Sequence, residues 1–261
     1  MFAHKYILIC LLKGVVEKFK NPHKENNKCL ILVNHYKVFC VYLNMANKPI
    51  RLPKVKRVSV SVWEIDHGGV KFYAKQGTSP ETFALGEKAR RKGVRIEKPV
   101  FNKLLGLSDY KDVGPRGIVV YYGHGESIGK RFNLASAREK TQILNQILDI
   151  VAHMHKQGFT HGDLNNPDHF VIDKEGKITL LDLEARLAKE VNIDWTSPQS
   201  IIKNLYDDLI ELNSLFENLG LDKKTIFMLF RRLLEKYNLE RNLHAFLLRF
   251  IAKTIIKISD Y

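Results

Sequence analysis

The stretch HGDLNNPDHFVIDKEGKITLLDLE, residues 161–184, constrains this chain more than any other. It reads as two apolar strands, HFVID and ITLLD, on either side of a polar turn, KEGK, because short apolar runs bounded by turn residues mark hairpin strands. Pairing centred between Glu175 and Gly176 sets His169 opposite Asp182 and brings Asp168 beside it, since opposed antiparallel positions lie about 5 Å apart. Asp163 sits in the loop that leads into the first strand, so three carboxylates converge on one end of the hairpin. Like charges held so closely raise one another's pKa unless a cation lies between them. A hard divalent ion such as Mg²⁺ answers that need, taking carboxylate oxygens while keeping waters and substrate phosphates as its other ligands. The local alternative is that Asp and Asn simply favour turns, where their side chains bond nearby backbone, and DLNNPD is turn-rich.

The remainder of the chain sets the scale. At 261 residues it suits one large domain or two small lobes, and 45% apolar with 27% charged residues is the composition of a globular protein. The net charge is +14, and residues 1–60 hold 12 Lys/Arg against 2 Glu. Such a segment suits an anionic partner (nucleic acid, an acidic protein or a lipid surface) or is simply a solvated lysine-rich face; no nucleic-acid motif accompanies it. Cys10, Cys29 and Cys40 lie in the same segment without the close pairing of a zinc site. A sparse, odd cysteine count suits a reducing compartment. The run YILICLL is far shorter than the ~20 apolar residues of a membrane span, and no signal-peptide pattern surrounds it, so the expected location is the cytoplasm.

The order of elements is strands, then helices. Residues 1–50 read as a basic N-terminal extension: a short helix-like start, a polar break, then the strand-like CLILVNHYKVFCVYL. RVSVSVWEI and VKFYAK flank DHGG and predict a hairpin, with Val70, Phe72 and Ala74 on one face. SPETFALGEKARRKG predicts a helix with Ser79 as N-cap, Pro80 in the first turn and Gly93 at the stop. GIVVYYG, residues 117–123, predicts a strand, followed by the hinge-like GHGES. Ser136 and Glu139 predict a capping box, and Ile143, Leu144, Ile147, Leu148 and Val151 recur at helical spacing until Gly158. Three more amphipathic helices are expected over 201–219, 224–237 and 241–258.

HGDLNNPDHFVID followed by ITLLDLE resembles the catalytic loop and metal-binding segment of the protein-kinase-like superfamily, roughly H-x-D-L-x-x-x-N and then D-F-G. The resemblance covers about residues 55–220 and implies an α+β, two-lobed fold. Residues 51–123 would form an N-lobe of antiparallel sheet plus helix, and 124–261 a helical C-lobe. It implies transfer of the γ-phosphoryl group of ATP, with Mg²⁺ or Mn²⁺, to a hydroxyl of a protein Ser/Thr, a sugar or a small molecule. Asp163 would be the catalytic residue that accepts the hydroxyl proton. Asp182 and Asp168 would hold metal. Lys75 in FYAK would hold ATP phosphates, with Glu87 of the following helix as its partner and Glu81 as competitor. Asp208 in LYDDLIEL would brace the loop, with Asp207 as competitor, and His161 would steady it. His124 and His169 carry no assigned role.

Three departures mark the chain. No glycine occurs between Gly14 and Gly68, so no G-x-G-x-x-G precedes Lys75, and backbone N–H groups, Lys75 and metal would hold the phosphates. Asp168 stands where the pattern has Asn, adding negative charge beside the γ-phosphate. The segment after Asp182 is short and lacks A-P-E, as in the compact relatives: RIO-type kinases, lipopolysaccharide-core sugar kinases and small-molecule phosphotransferases. The rival readings are a pseudokinase scaffold that binds nucleotide without turnover, and a nucleic-acid-binding module built on the basic segment.

Overall fold

β-branched and aromatic runs fill the first half of the chain, and these pack well on a pleated surface. The computed structural model describes residues 28–34, 37–43, 54–57, 62–67, 70–98, 117–122 and 125–257. β1 (Lys28–Asn34) and β2 (Lys37–Leu43) form an antiparallel ribbon with Asn34 facing Lys37. β3 (Lys54–Arg57), β4 (Val62–His67) and β5 (Val70–Thr78) begin a four-stranded antiparallel sheet, with His67 facing Val70. The helix-like start of the chain, Cys10, the turn glycines themselves, the side chains of Val70, Phe72 and Ala74, and His124 lie outside the described residues.

α1 (Pro80–Arg91) starts where its cap predicts, the Ser79 hydroxyl accepting from Thr82 N at 3.2 Å, and stops before Gly93 at φ +81°. The chain then runs along the far hairpin: Glu97 N donates to Leu180 O at 2.9 Å and Leu180 N to Arg95 O at 3.1 Å. β6 (Gly117–Tyr122) closes the sheet in the order β3-β4-β5-β6.

β7 (Glu126–Ser127) leads into α2 (Ile128–Leu134) and α3 (Ala137–Lys156). Only half of the predicted capping box forms. Ser136 Oγ accepts from Glu139 N at 3.3 Å, but the Glu139 carboxylate turns to Arg131 Nε at 2.7 Å. The predicted apolar stripe of α3 is buried throughout. It packs on α5 (Lys223–Tyr237), which also contacts α4 (Pro198–Asn218) and α6 (Arg241–Phe250), and α6 continues as a π-helical turn over Ile251–Ile256. Fully buried Ile147, Leu148, Phe216 and Phe230 centre this core, each stabilising it by roughly 1.5–3 kcal/mol.

β8 (Phe159–Thr160) pairs with β11 (Lys189–Glu190), while β9 (Phe170–Ile172) and β10 (Ile178–Leu180) make the predicted hairpin with β7 beside β9. Its register differs from the expected one by one residue. Leu180 faces Phe170 and Ile178 faces Ile172, so the centre falls on Glu175 and His169 meets Leu181, not Asp182. The cause is the turn. Asp173 Oδ1 accepts from Glu175 N and Lys177 N, each at 2.9 Å, and Gly176 sits at φ +76°. That is a three-residue loop ending in a left-handed glycine, not the four-residue turn KEGK. The fold is α+β, with small antiparallel sheets and mostly helical content.

Candidate active site

The loop after β8 is held by one buried carboxylate. Asp208, on the inner face of α4 and 1% exposed, accepts from His161 N at 2.8 Å and Gly162 N at 2.6 Å. It also accepts from His155 Nε2 at 2.9 Å, while His155 Nδ1 meets the Tyr237 hydroxyl at 2.6 Å. Burial alone would raise the Asp208 carboxyl, but His155 and the two backbone N–H groups outweigh it and hold it below its ordinary value. Gly162 has φ +71°, and a Cβ there would stand 2.7 Å from Leu187 O, so the tight passage requires glycine. His161 Nε2 donates to Leu181 O at 2.8 Å; burial, chiefly, lowers its pKa and keeps it neutral. Buried Leu164 pins the loop's middle.

Beyond this brace the loop presents Asp163, 37% exposed at its side chain. The His169 ring lies between two acids. Its Nδ1 donates to Asp163 O at 2.8 Å and stands 3.7 Å from Asp163 Oδ2, while Nε2 stands 3.7 Å from Asp182 Oδ2. Asp182, just past β10, has φ +61°, a conformation in which Asp is better tolerated than bulky residues. Its Oδ1 accepts from Lys75 Nζ of β5, and Lys75 also lies 3.5 Å from Glu184 Oε1. Burial would lower the Lys75 pKa; Asp182, Glu97 and Glu184 together reverse that and raise it.

Glu87 does not meet Lys75. Its carboxylate is taken by Arg90 one turn along α1, an i,i+3 pairing on the same helix face. The acid that reaches the Lys75–Asp182 pair from this part of the chain is Glu97, whose Oε1 accepts from Asp182 N at 3.2 Å. Burial first, then Asp182, raise the Glu97 carboxyl to about 7 against the pull of Lys75 and Arg90.

Lys75, Glu97, Asp168 and Asp182 line one cleft of about 690 Å³, together with Gly125, Ser127 and Lys130, and Val62, Tyr121, Val171 and Leu181 give it apolar walls. Asp168 accepts a hydrogen bond from the Ser127 hydroxyl at the cleft's edge. Among the described residues no three His, Cys, Asp or Glu side chains close a metal site by themselves. The donor set nevertheless fits Mg²⁺: two hard carboxylates face a shared cleft, leaving the other positions to water and phosphate oxygens. A second groove, about 240 Å³, opens beside Gly162 and is lined by Arg186, Leu187, Lys189, Asp207, Ile210 and Glu211. Burial and the nearby Asp163 raise the Glu211 carboxyl.

Of the residues singled out in the sequence, the structure brings Lys75, Asp168 and Asp182 to one cleft, and links Asp163 to Asp182 through His169. It sets His161 and Asp208 beneath the loop, while Asp207 lies on the groove. Glu81 is fully exposed. Glu97, His155, Ser127 and Glu211 escaped the sequence reading, and His169, placed near Asp182 there, was given no role. Only His155 carried a signal, as a histidine on the buried stripe of α3, next to Met154.

Residues 126–199 match the model of the Lipopolysaccharide kinase (Kdo/WaaP) family, which falls within the protein-kinase-like superfamily. The matched span holds Asp163, Asp168 and Asp182 and supports a kinase or phosphotransferase. No curated protein matches the chain.

Proposed function

We propose, with the kinase family matched over residues 126–199 as premise, that the protein transfers the γ-phosphoryl group of ATP to a hydroxyl of a sugar. The observation that carries this reading is the cleft itself: Lys75, Asp182 and Asp168 face one volume, and Asp163 stands next door on a braced loop. In this reading residues 51–123 act as an N-lobe and 124–261 as a C-lobe, with nucleotide between them, and residues 1–50 as an extension.

Each side chain then has a task. The apolar walls take the base, and the Lys75 ammonium, held charged by its acids, exchanges Asp182 for the α- and β-phosphates. Asp182 and Asp168 would hold Mg²⁺, which neutralises phosphate charge when bound. Asp163 orients the acceptor hydroxyl and takes its proton as the new O–P bond forms and the bond to the ADP oxygen breaks. Catalysis is then mainly placement and charge neutralisation. The groove beside Gly162 mixes Arg186, Lys189, Asp207 and Glu211, donors and acceptors that suit a polyol better than an apolar side chain.

The test is transfer of labelled γ-phosphate to saccharide acceptors by the full chain and by Lys75→Met. Sugar-dependent transfer that the variant lacks supports the reading; equal transfer by both contradicts it. A nucleotide-binding scaffold without turnover is the second reading, favoured by Lys75 being engaged with Asp182 and by the extra charge of Asp168.

A further inference from the structure

We infer that Glu97 is the positioning residue that keeps Lys75 and Asp182 in working arrangement, the task that position in the sequence assigns to Glu87. The inference rests on the kinase reading above.

Three features converge on Glu97. Its backbone is fixed from two sides: Glu97 N donates to Leu180 O at 2.9 Å, and Glu97 O accepts from Arg90 Nη1 at 2.6 Å. Its carboxylate therefore projects from a rigid segment, not from a mobile loop. That carboxylate receives the N–H of Asp182, a non-glycine residue in the left-handed region. Such a conformation persists only where neighbours over-determine it, and rotating this peptide would swing the Asp182 carboxylate out of the cleft. Finally, Glu97 lines the same cleft as Lys75 and Asp182. Once a divalent ion engages Asp182, the ammonium needs another acid behind it. Glu87 is committed to Arg90, and Glu184 is shared with Arg186 Nε at 2.6 Å. Glu97 remains. Arg90 thus sorts the two acids, drawing the Glu87 carboxylate away while pinning the Glu97 carbonyl.

The experiment compares the full chain with Glu97→Ala, Glu97→Gln and Glu87→Gln. It reads Mg·ADP affinity by calorimetry, the Mg²⁺ dependence of that affinity, and KM and kcat for phosphotransfer. Losing a group that orients a metal ligand commonly weakens metal binding 10–100-fold, so Glu97→Ala is expected to weaken Mg·ADP binding by about tenfold or more. Glu97→Gln, whose amide oxygen still accepts from Asp182 N, keeps Mg²⁺-dependent binding but lowers kcat. Glu87→Gln stays within about threefold on every readout. A Glu87→Gln loss equal to that of Glu97→Ala overturns the inference. If Glu97→Ala does not fold, Glu97→Gln decides alone: binding kept with a lowered kcat supports it, and a wild-type kcat overturns it. Wild-type protein that neither binds Mg·ADP nor transfers phosphate removes the kinase reading and this inference with it. Normal turnover in every Glu97 variant removes the inference alone.

Discussion

Replacing Asp208 by Ala strips the acceptor from three buried donors: His161 N–H at 2.8 Å, Gly162 N–H at 2.6 Å and His155 Nε2–H at 2.9 Å. At 1% exposure the site offers them little water in exchange. An orphaned buried donor costs about 1–3 kcal/mol. Three would cost about 3–9 kcal/mol if nothing moved, and partial relaxation brings the expectation to about 4 kcal/mol, a large share of the roughly 5–15 kcal/mol that a domain possesses. Asp208→Asn keeps one oxygen for the two backbone N–H groups and leaves only the His155 contact mismatched, so about 1–2 kcal/mol is expected. Urea unfolding followed by tryptophan emission is the assay, with Trp195 placed 5.0 Å from the Tyr237 ring as a reporter. Acid sharpens it. The folded-state carboxyl lies below its ordinary 3.8, so the unfolded chain binds the extra proton. The stabilisation is then fully present above that value and is lost as pH falls through the folded one. The gap between wild type and Asp208→Asn should therefore be full at neutral pH and close in strong acid. An Asp208→Ala cost under about 1 kcal/mol, or a gap that ignores acid, would refute the brace.

Four further outcomes follow from the same geometry. Gly125→Ala would put a Cβ 1.9 Å from Ile172 O at φ +121°, and thermal unfolding should show a loss on the order of 3 kcal/mol or more. Gly176→Ala, left-handed but with nothing within 4 Å, should cost only about 1–2 kcal/mol. Gly162→Ala, 2.7 Å from Leu187 O, should displace the loop that carries Asp163 and lower phosphotransfer at least about tenfold in steady-state assays, the scale of a small misplacement at a reacting centre. Ser127→Ala frees the Asp168 carboxylate from its hydroxyl donor and should change the Mg²⁺ concentration for half-maximal nucleotide binding by about tenfold, read by titration at fixed ADP.

Local signals carried the elements well. Ser79 and Ser136 cap the helices they announce, the α3 stripe is the core, and the strands on either side of DHGG pair as expected. The site was half legible, and the reason differs by residue. Asp163, Asp168 and Asp182 fall within 20 residues of one another, so a short hairpin suffices to gather them. The one-residue register error came from pairing the strands across the four residues KEGK, when Asp173 and Gly176 build a three-residue loop. Glu97 had no periodic context. It is brought to Asp182 by the contact of its segment with Leu180, a pairing across 83 positions that no local pattern encodes. Glu87 looked like the partner of Lys75 because it lies on the adjoining helix, but Arg90 is three residues away on the same face and claims it. No helix among the described residues is long and apolar enough to cross a membrane.

In the proposed phosphotransfer site two carboxylates divide the labour. The most direct measurement pairs Mg·ATP binding with γ-phosphate transfer in wild type, Asp163→Asn and Asp182→Asn. Asp163→Asn should bind Mg·ATP as wild type does but transfer at least about a hundredfold more slowly, the scale of a lost general base, whereas Asp182→Asn should lose the metal-dependent part of binding itself. Wild-type transfer by Asp163→Asn, or metal-dependent binding that survives in Asp182→Asn, would contradict that division of labour.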